Sequence, residues 1–126
     1  MSFTNFLETE ILDHVFAGSA YSAPGTHYLG LFTSAPGETG GGTELSGSAY
    51  ARQSVAFTTS GNTTSNNAAV EFPTATGSWG TVTHVGVFDA STSGNLMAYA
   101  TLSSSKAIAT GDVFRVPSGD LDITLD

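Results

Sequence analysis

The chain has 126 residues, no cysteine, and eleven acidic against three basic side chains, a net charge of −8. Disulfides, thiolate catalysis and cysteine-ligated zinc are excluded, and three scattered cations (Arg52, Lys106, Arg115) cannot form the basic stripe that nucleic acid or an anionic membrane requires. Charged residues reach only 11%, against about 25% in an ordinary soluble domain, so the chain is expected to be packed among other proteins, one domain over residues 1–126 with a modest core.

No stretch approaches the ~20 apolar residues of a membrane helix. Met1–Asn5 has no basic residue ahead of an apolar run, so a secretory signal is not expected. Phe3, Leu7, Ile11 and Val15 recur every fourth residue with Phe6 and Phe16 beside them, which predicts an amphipathic helix over 3–17 within an arm spanning 1–24. Ser2 or Thr4 is placed to cap its start, and Gly18 stops it. The helix either folds back over its own sheet or docks its phenylalanines on a neighbouring subunit.

After Gly25 the pattern becomes strand-like. Strands are predicted at 26–33, 50–57, 67–72, 81–88, 95–102, 106–110, 113–116 and 121–125, separated by Gly, Pro, Asp and Ser turns. Residues 34–48 carry five of the fifteen glycines and no periodicity, a loop expected to be functional or mobile. Residues 58–66 read as a second polar loop. The fold class is therefore mainly β: a single β-sandwich (jelly-roll or Ig-like) over 25–126, of about seven to eight antiparallel strands, with one N-terminal helix.

The sequence offers little chemistry. His14, His27 and His84 lie in three different elements without metal-pair spacing, and no Gly-x-Ser-x-Gly elbow frames a nucleophile. Mid-strand His84 is expected to be a core or interface histidine with one hydrogen-bond partner. Glu38 and Glu44 flank the glycine-rich stretch rather than sitting on rigid elements facing a sugar cleft. No Asp-x-Asp-x-Asp calcium loop is present, and Gly40–Gly42 lacks the lysine of a phosphate loop. No enzyme activity, metal or cofactor is expected. Arg52, a rare cation on a strand, pairs with a carboxylate either within the fold or across an interface. Trp79, between Gly77 and Gly80, is either a core plug or an interface anchor. Tyr21, Tyr50 and Trp79 are the aromatics that could stack on a sugar.

The stretches LGLFTSAPGETGGGTELSGSAYARQSVAF at 29–57, WGTVTHVGVFDASTSGNL at 79–96 and GDVFRVPSGDLDITL at 111–125 resemble a family of small virion structural proteins of tailed bacteriophages, commonly labelled tail-fibre or structural. The resemblance implies a structural role in the particle, assembled in the host cytoplasm, and brings no catalytic residues. Two roles follow. The favoured one is a capsid decoration (cement) protein, a homo-oligomer and by preference a trimer, bridging subunits of the major capsid protein. The alternative is a tail-fibre or tail-tip component in contact with tail proteins and the host. Phe3, Phe6, Leu7, Glu38, Glu44, Arg52 and Trp79 are the interface candidates.

Overall fold

Alternating β-branched and aromatic residues favour extended backbone, and they form most of the structure. A computed structural model describes residues 1–126 as ten strands and one helix: β1 (Ser2–Phe3), α1 (Asn5–Phe16), β2 (His27–Phe32), β3 (Gln53–Val55), β4 (Phe57–Ser60), β5 (Thr63–Asn66), β6 (Val70–Glu71), β7 (Gly80–Phe88), β8 (Leu96–Ile108), β9 (Arg115–Val116) and β10 (Asp122–Thr124). They make three antiparallel sheets, ordered β1-β8-β7-β2-β3, β10-β5-β4 and β6-β9.

The period of two along a strand gives the large sheet two different faces. On one, Leu29, Leu31, Val85, Val87 and Ala98 enter a core shared with Val55, Val70, Phe72, Trp79, Phe114, Val116 and Leu121, so all three sheets drain into one apolar cluster. On the other, Phe32, Phe88 and Leu96 form a smaller cluster. Gly30 and Gly86 are register partners there. Their missing side chains leave room for the Phe88 ring over one and for Leu96 and Phe32 over the other.

The coarse fold class is as expected, mainly β and antiparallel with one N-terminal helix, but the strands number ten rather than seven to eight and lie in three sheets rather than the two of a single jelly-roll or Ig-like sandwich. The details differ for physical reasons. The run 50–57 is divided between two sheets, because β3 pairs with β2 whereas β4 pairs with β5. The polar stretch 58–66 is a hairpin turning at Gly61 (φ +61°). Its strands are rich in threonine and bonded across the pair, Thr59 Oγ1 to Thr64 Oγ1 at 3.0 Å. Polar strands carry no hydrophobic alternation, which is why this one read as a loop.

Asn66, buried at the end of β5, holds the C-terminal segment in place. Its Nδ2 donates to the carbonyls of Ala68 and Pro117, and its Oδ1 accepts from Leu121 N. The predicted strands 95–102 and 106–110 are one strand, β8. Its register against β7 jumps from His84↔Thr101 to Val82↔Lys106, so Leu102–Ser105 stand opposite Thr83 alone. The helix starts at Asn5 rather than residue 3, because Ser2 and Phe3 pair with Tyr99 and Ala98.

A candidate assembly surface

Residues 34–48, expected to be mobile or functional, are tied to the sheet along much of their length. Thr33 N donates to Thr43 O, Leu45 N to Leu31 O and Asn5 N to Glu38 O, while Phe32 and Glu44 form a β-bridge. The centre of the attachment is Arg52. Its Nε and Nη2 donate to the two oxygens of Glu44 at 2.8 Å each, and its Nη1 donates to the carbonyls of Ala90 and Ser93. The guanidinium lies over the Phe88 ring, 3.4 Å from its centroid, and the side chain is 9% exposed. Of the two readings of Arg52, the structure shows the ion pair inside the fold. The planar fork suits this site because it meets a carboxylate and an aromatic face at once.

Tyr50 completes the cluster. Its hydroxyl donates to Glu44 Oε2 at 2.7 Å and accepts from Leu31 N. Burial first, then the neighbouring carboxylate, pushes the phenol well above its ordinary range. Trp79 is buried in the core and donates Nε1–H to Ser48 O at 2.9 Å. Glu38 accepts from Tyr99 OH, a bond that raises the Tyr99 pKa. Half-buried His84 meets Thr83 Oγ1 through Nδ1 at 2.8 Å. Glu38, Glu44, Arg52 and Trp79 are thus all engaged within the chain.

The helix divides into two halves. Thr4 is buried at its start and donates Oγ1–H to Leu96 O at 2.6 Å, so the hydroxyl pins the arm to β8 and leaves the helix without a side-chain cap. Leu7 is buried, Phe3 packs against the core, and Phe6 meets Tyr21 edge-on at 6.4 Å. These three candidates belong to the attached half. Beyond it the apolar side chains are bare: Leu12 is 57%, Val15 60% and Phe16 81% exposed. At 3.6 residues per turn, Leu12 and Phe16 lie about 140° and about 180° round the helix from Leu7. Both face away from the body.

One groove of about 330 Å³ lies against the start of the helix, lined by Thr4, Phe6, Glu38 and Leu96 among others, and two more open elsewhere on the surface. The larger, about 590 Å³, runs between β8 and the C-terminal segment. Its floor includes Leu102, Ile108 and Phe114, and Lys106, Arg115, Asp120 and Asp122 are among its lining residues. The smaller, about 250 Å³, opens between the large sheet and the β10-β5-β4 sheet beside the foot of the helix. It is lined by Phe3, Leu7, Phe57, Val87, Met97 and Ile123 among others, with no carboxylate. His27 also lines it, edge-on to Phe57 at 6.1 Å. Burial holds His27 below the usual histidine range, and Asp89 pulls weakly the other way.

A surface with exposed apolar area, on which Glu38, Glu44 and Arg52 are already engaged within the chain, suits binding to protein more than chemistry on a small molecule. A family model described as "Podophage GP4 fiber I protein gp80" matches residues 2–124. The chain belongs to that family. The family is one of phage fibre and structural proteins, in line with the structural role the resemblance implied, and its printed description agrees with the tail-fibre alternative rather than with the favoured capsid decoration. No curated protein matches the chain. No helix is long and apolar enough to cross a membrane.

Sequence reasoning missed Leu12 altogether and read Val15 and Phe16 as parts of one stripe. The signal was present in the spacing: Leu12 and Phe16 form an i, i+4 pair opposite Leu7, so the helix is apolar on two sides rather than one.

Proposed function

We propose that the chain is a subunit of a phage tail fibre, working by buried contact with other virion proteins and performing no bond-making step. The observation that carries this reading is the exposed distal face of α1 on a member of a fibre-protein family. A helix apolar on opposite sides is normally covered on both, and here only one side is covered. Further support comes from Glu38 and Glu44, the acids a glycan-cleaving enzyme would draw on, which are bound to Tyr99 and to Arg52 and Tyr50.

Copy number and position in purified particles test the proposal. A tail fibre is expected at a small number of copies per virion, with antibody labelling at the tail. Abundance comparable to the major capsid protein, with label over the head, would replace it with the decoration role.

A further inference from the structure

We infer that residues 34–49 form a strap that closes the end of β2 and lifts off as a unit while the sheet stays folded, driven by strain in its own last turn. The inference stands wherever in the particle the chain sits. Three observations carry it.

The first is where the strap lies. β3 pairs with β2 only along His27–Leu29. Beyond that point the strap takes over the edge: Thr33 N donates to Thr43 O, Leu45 N donates to Leu31 O, and Phe32 and Glu44 form a bridge. Three strap residues therefore stand in for a strand. Lifting them would bare the backbone of β2 beside the Phe32, Phe88 and Leu96 cluster, an edge open to pairing with another chain.

The second is strain. Gly47, Ser48 and Ala49 all have positive φ, at +75°, +51° and +69°, and Tyr50 N donates to Gly47 O at 2.9 Å across the turn. A turn with positive φ at both central residues belongs to glycine, asparagine and aspartate. Here serine and alanine occupy it, and each Cβ crowds the carbonyl oxygen that follows.

The third is how the strap is held. The Ser48 carbonyl accepts from Trp79 Nε1 at 2.9 Å and from Thr76 N at 3.2 Å. Its side chain sits over Gly77, where a Cβ would lie 2.6 Å from Ser48 Oγ. This contact and the Glu44–Arg52 ion pair form a clasp at one end. Between residues 34 and 49 only Pro36 and Leu45 are buried. Opening thus uncovers two apolar side chains and relaxes two strained residues. Segments with so few buried contacts open below the free energy of global unfolding.

Native-state hydrogen exchange on the full chain, read by NMR over a series of low urea concentrations, tests this. The amides of Thr33, Leu45 and Thr76 bond to the strap or from it. They should share one opening of small urea dependence, with protection at least about tenfold below that of the β2–β7 ladder. Ala49→Gly relaxes the turn and should raise strap protection about threefold or more, and Ser48→Gly repeats that arm. Gly77→Ala crowds Ser48 and should lower strap protection. Val116→Ala, in β9, should lower ladder protection and leave strap protection within about twofold, because the sheet is intact in the open form.

Strap amides that match the ladder in protection and urea dependence would overturn the inference, since strap and sheet would then open as one. Unchanged strap protection in both Ala49→Gly and Ser48→Gly would overturn it too, because the turn would carry no strain.

Discussion

A methyl group placed on Gly30 would lie 2.7 Å from Phe88 Cε2 and 3.1 Å from Glu44 Oε2. The ring cannot retreat, because Phe32 stacks on it and the Arg52 guanidinium covers it. Gly30→Ala is therefore expected to destabilise the fold by about 1–3 kcal/mol through overpacking, read as a lower midpoint in urea. Arg52 is held more tightly still. Arg52→Ala would strand the Glu44 carboxylate and the Ala90 and Ser93 carbonyls without donors. The expected loss is about 2–4 kcal/mol, below the largest buried-pair values because Glu44 is 24% exposed. Arg52→Lys should recover only part of it, since an ammonium cannot span both carboxylate oxygens. His27 gives a pH signature. Its folded pKa lies below its unfolded value, so the unfolded chain binds more protons as acid is added. Its contribution is complete above the ordinary histidine range and is lost as pH falls through that range. Melting temperature should accordingly drop from pH 7 to 5, and less so in His27→Gln.

The helix shows at the level of an element what sequence periodicity conveys and what it leaves out. Its existence and its stop at Gly18 (φ +73°) were legible, because a 3.6-residue repeat and a terminal glycine are local signals. The face that meets the body was not legible. Apolar residues occur on opposite sides, and only the pairing of Ser2 and Phe3 with β8 decides which side is covered. The central strands were legible for the same local reason, through the alternation in 81–88 and 95–102. The β4–β5 hairpin was hidden by its threonines, and the attachment of residues 34–48 by partners distant in sequence, Arg52 and Tyr50 among them. The two halves of the helix are separable by experiment. Leu7→Ala, at a buried site, should cost about 2–4 kcal/mol. Leu12→Ala should leave monomer stability within about 0.5 kcal/mol, as exposed substitutions do, so equal costs for the two would mean that the distal half is folded onto the body. The β8 edge makes an instructive contrast. Past Tyr99 its outer side has no strand partner, yet the displaced segment Leu102–Ser105 and Lys106 occupy it, features that discourage strand addition. The fold guards its open sheet edge and leaves its helix tip bare.

At the scale of the whole molecule, a charge of −8 on 126 residues opposes the meeting of two copies, and any contact between copies would have to act against that repulsion. Burial of the exposed helix face would do so without using the rare cations: Arg52 is committed to Glu44, the one ion pair in the chain. Opposite-sign steering between copies would require Lys106 or Arg115 to face an acid of the neighbour. The two mechanisms respond oppositely to salt. With a Debye length near 10 Å at about 0.1 M, raising ionic strength screens the like-charge repulsion while leaving burial of Leu12 and Phe16 intact. Self-association measured by sedimentation should therefore tighten, by a few-fold, from low to moderately high salt. Weakening over the same range would assign the contact to intersubunit ion pairs, and the two free cations beside the larger groove would then be the residues to replace.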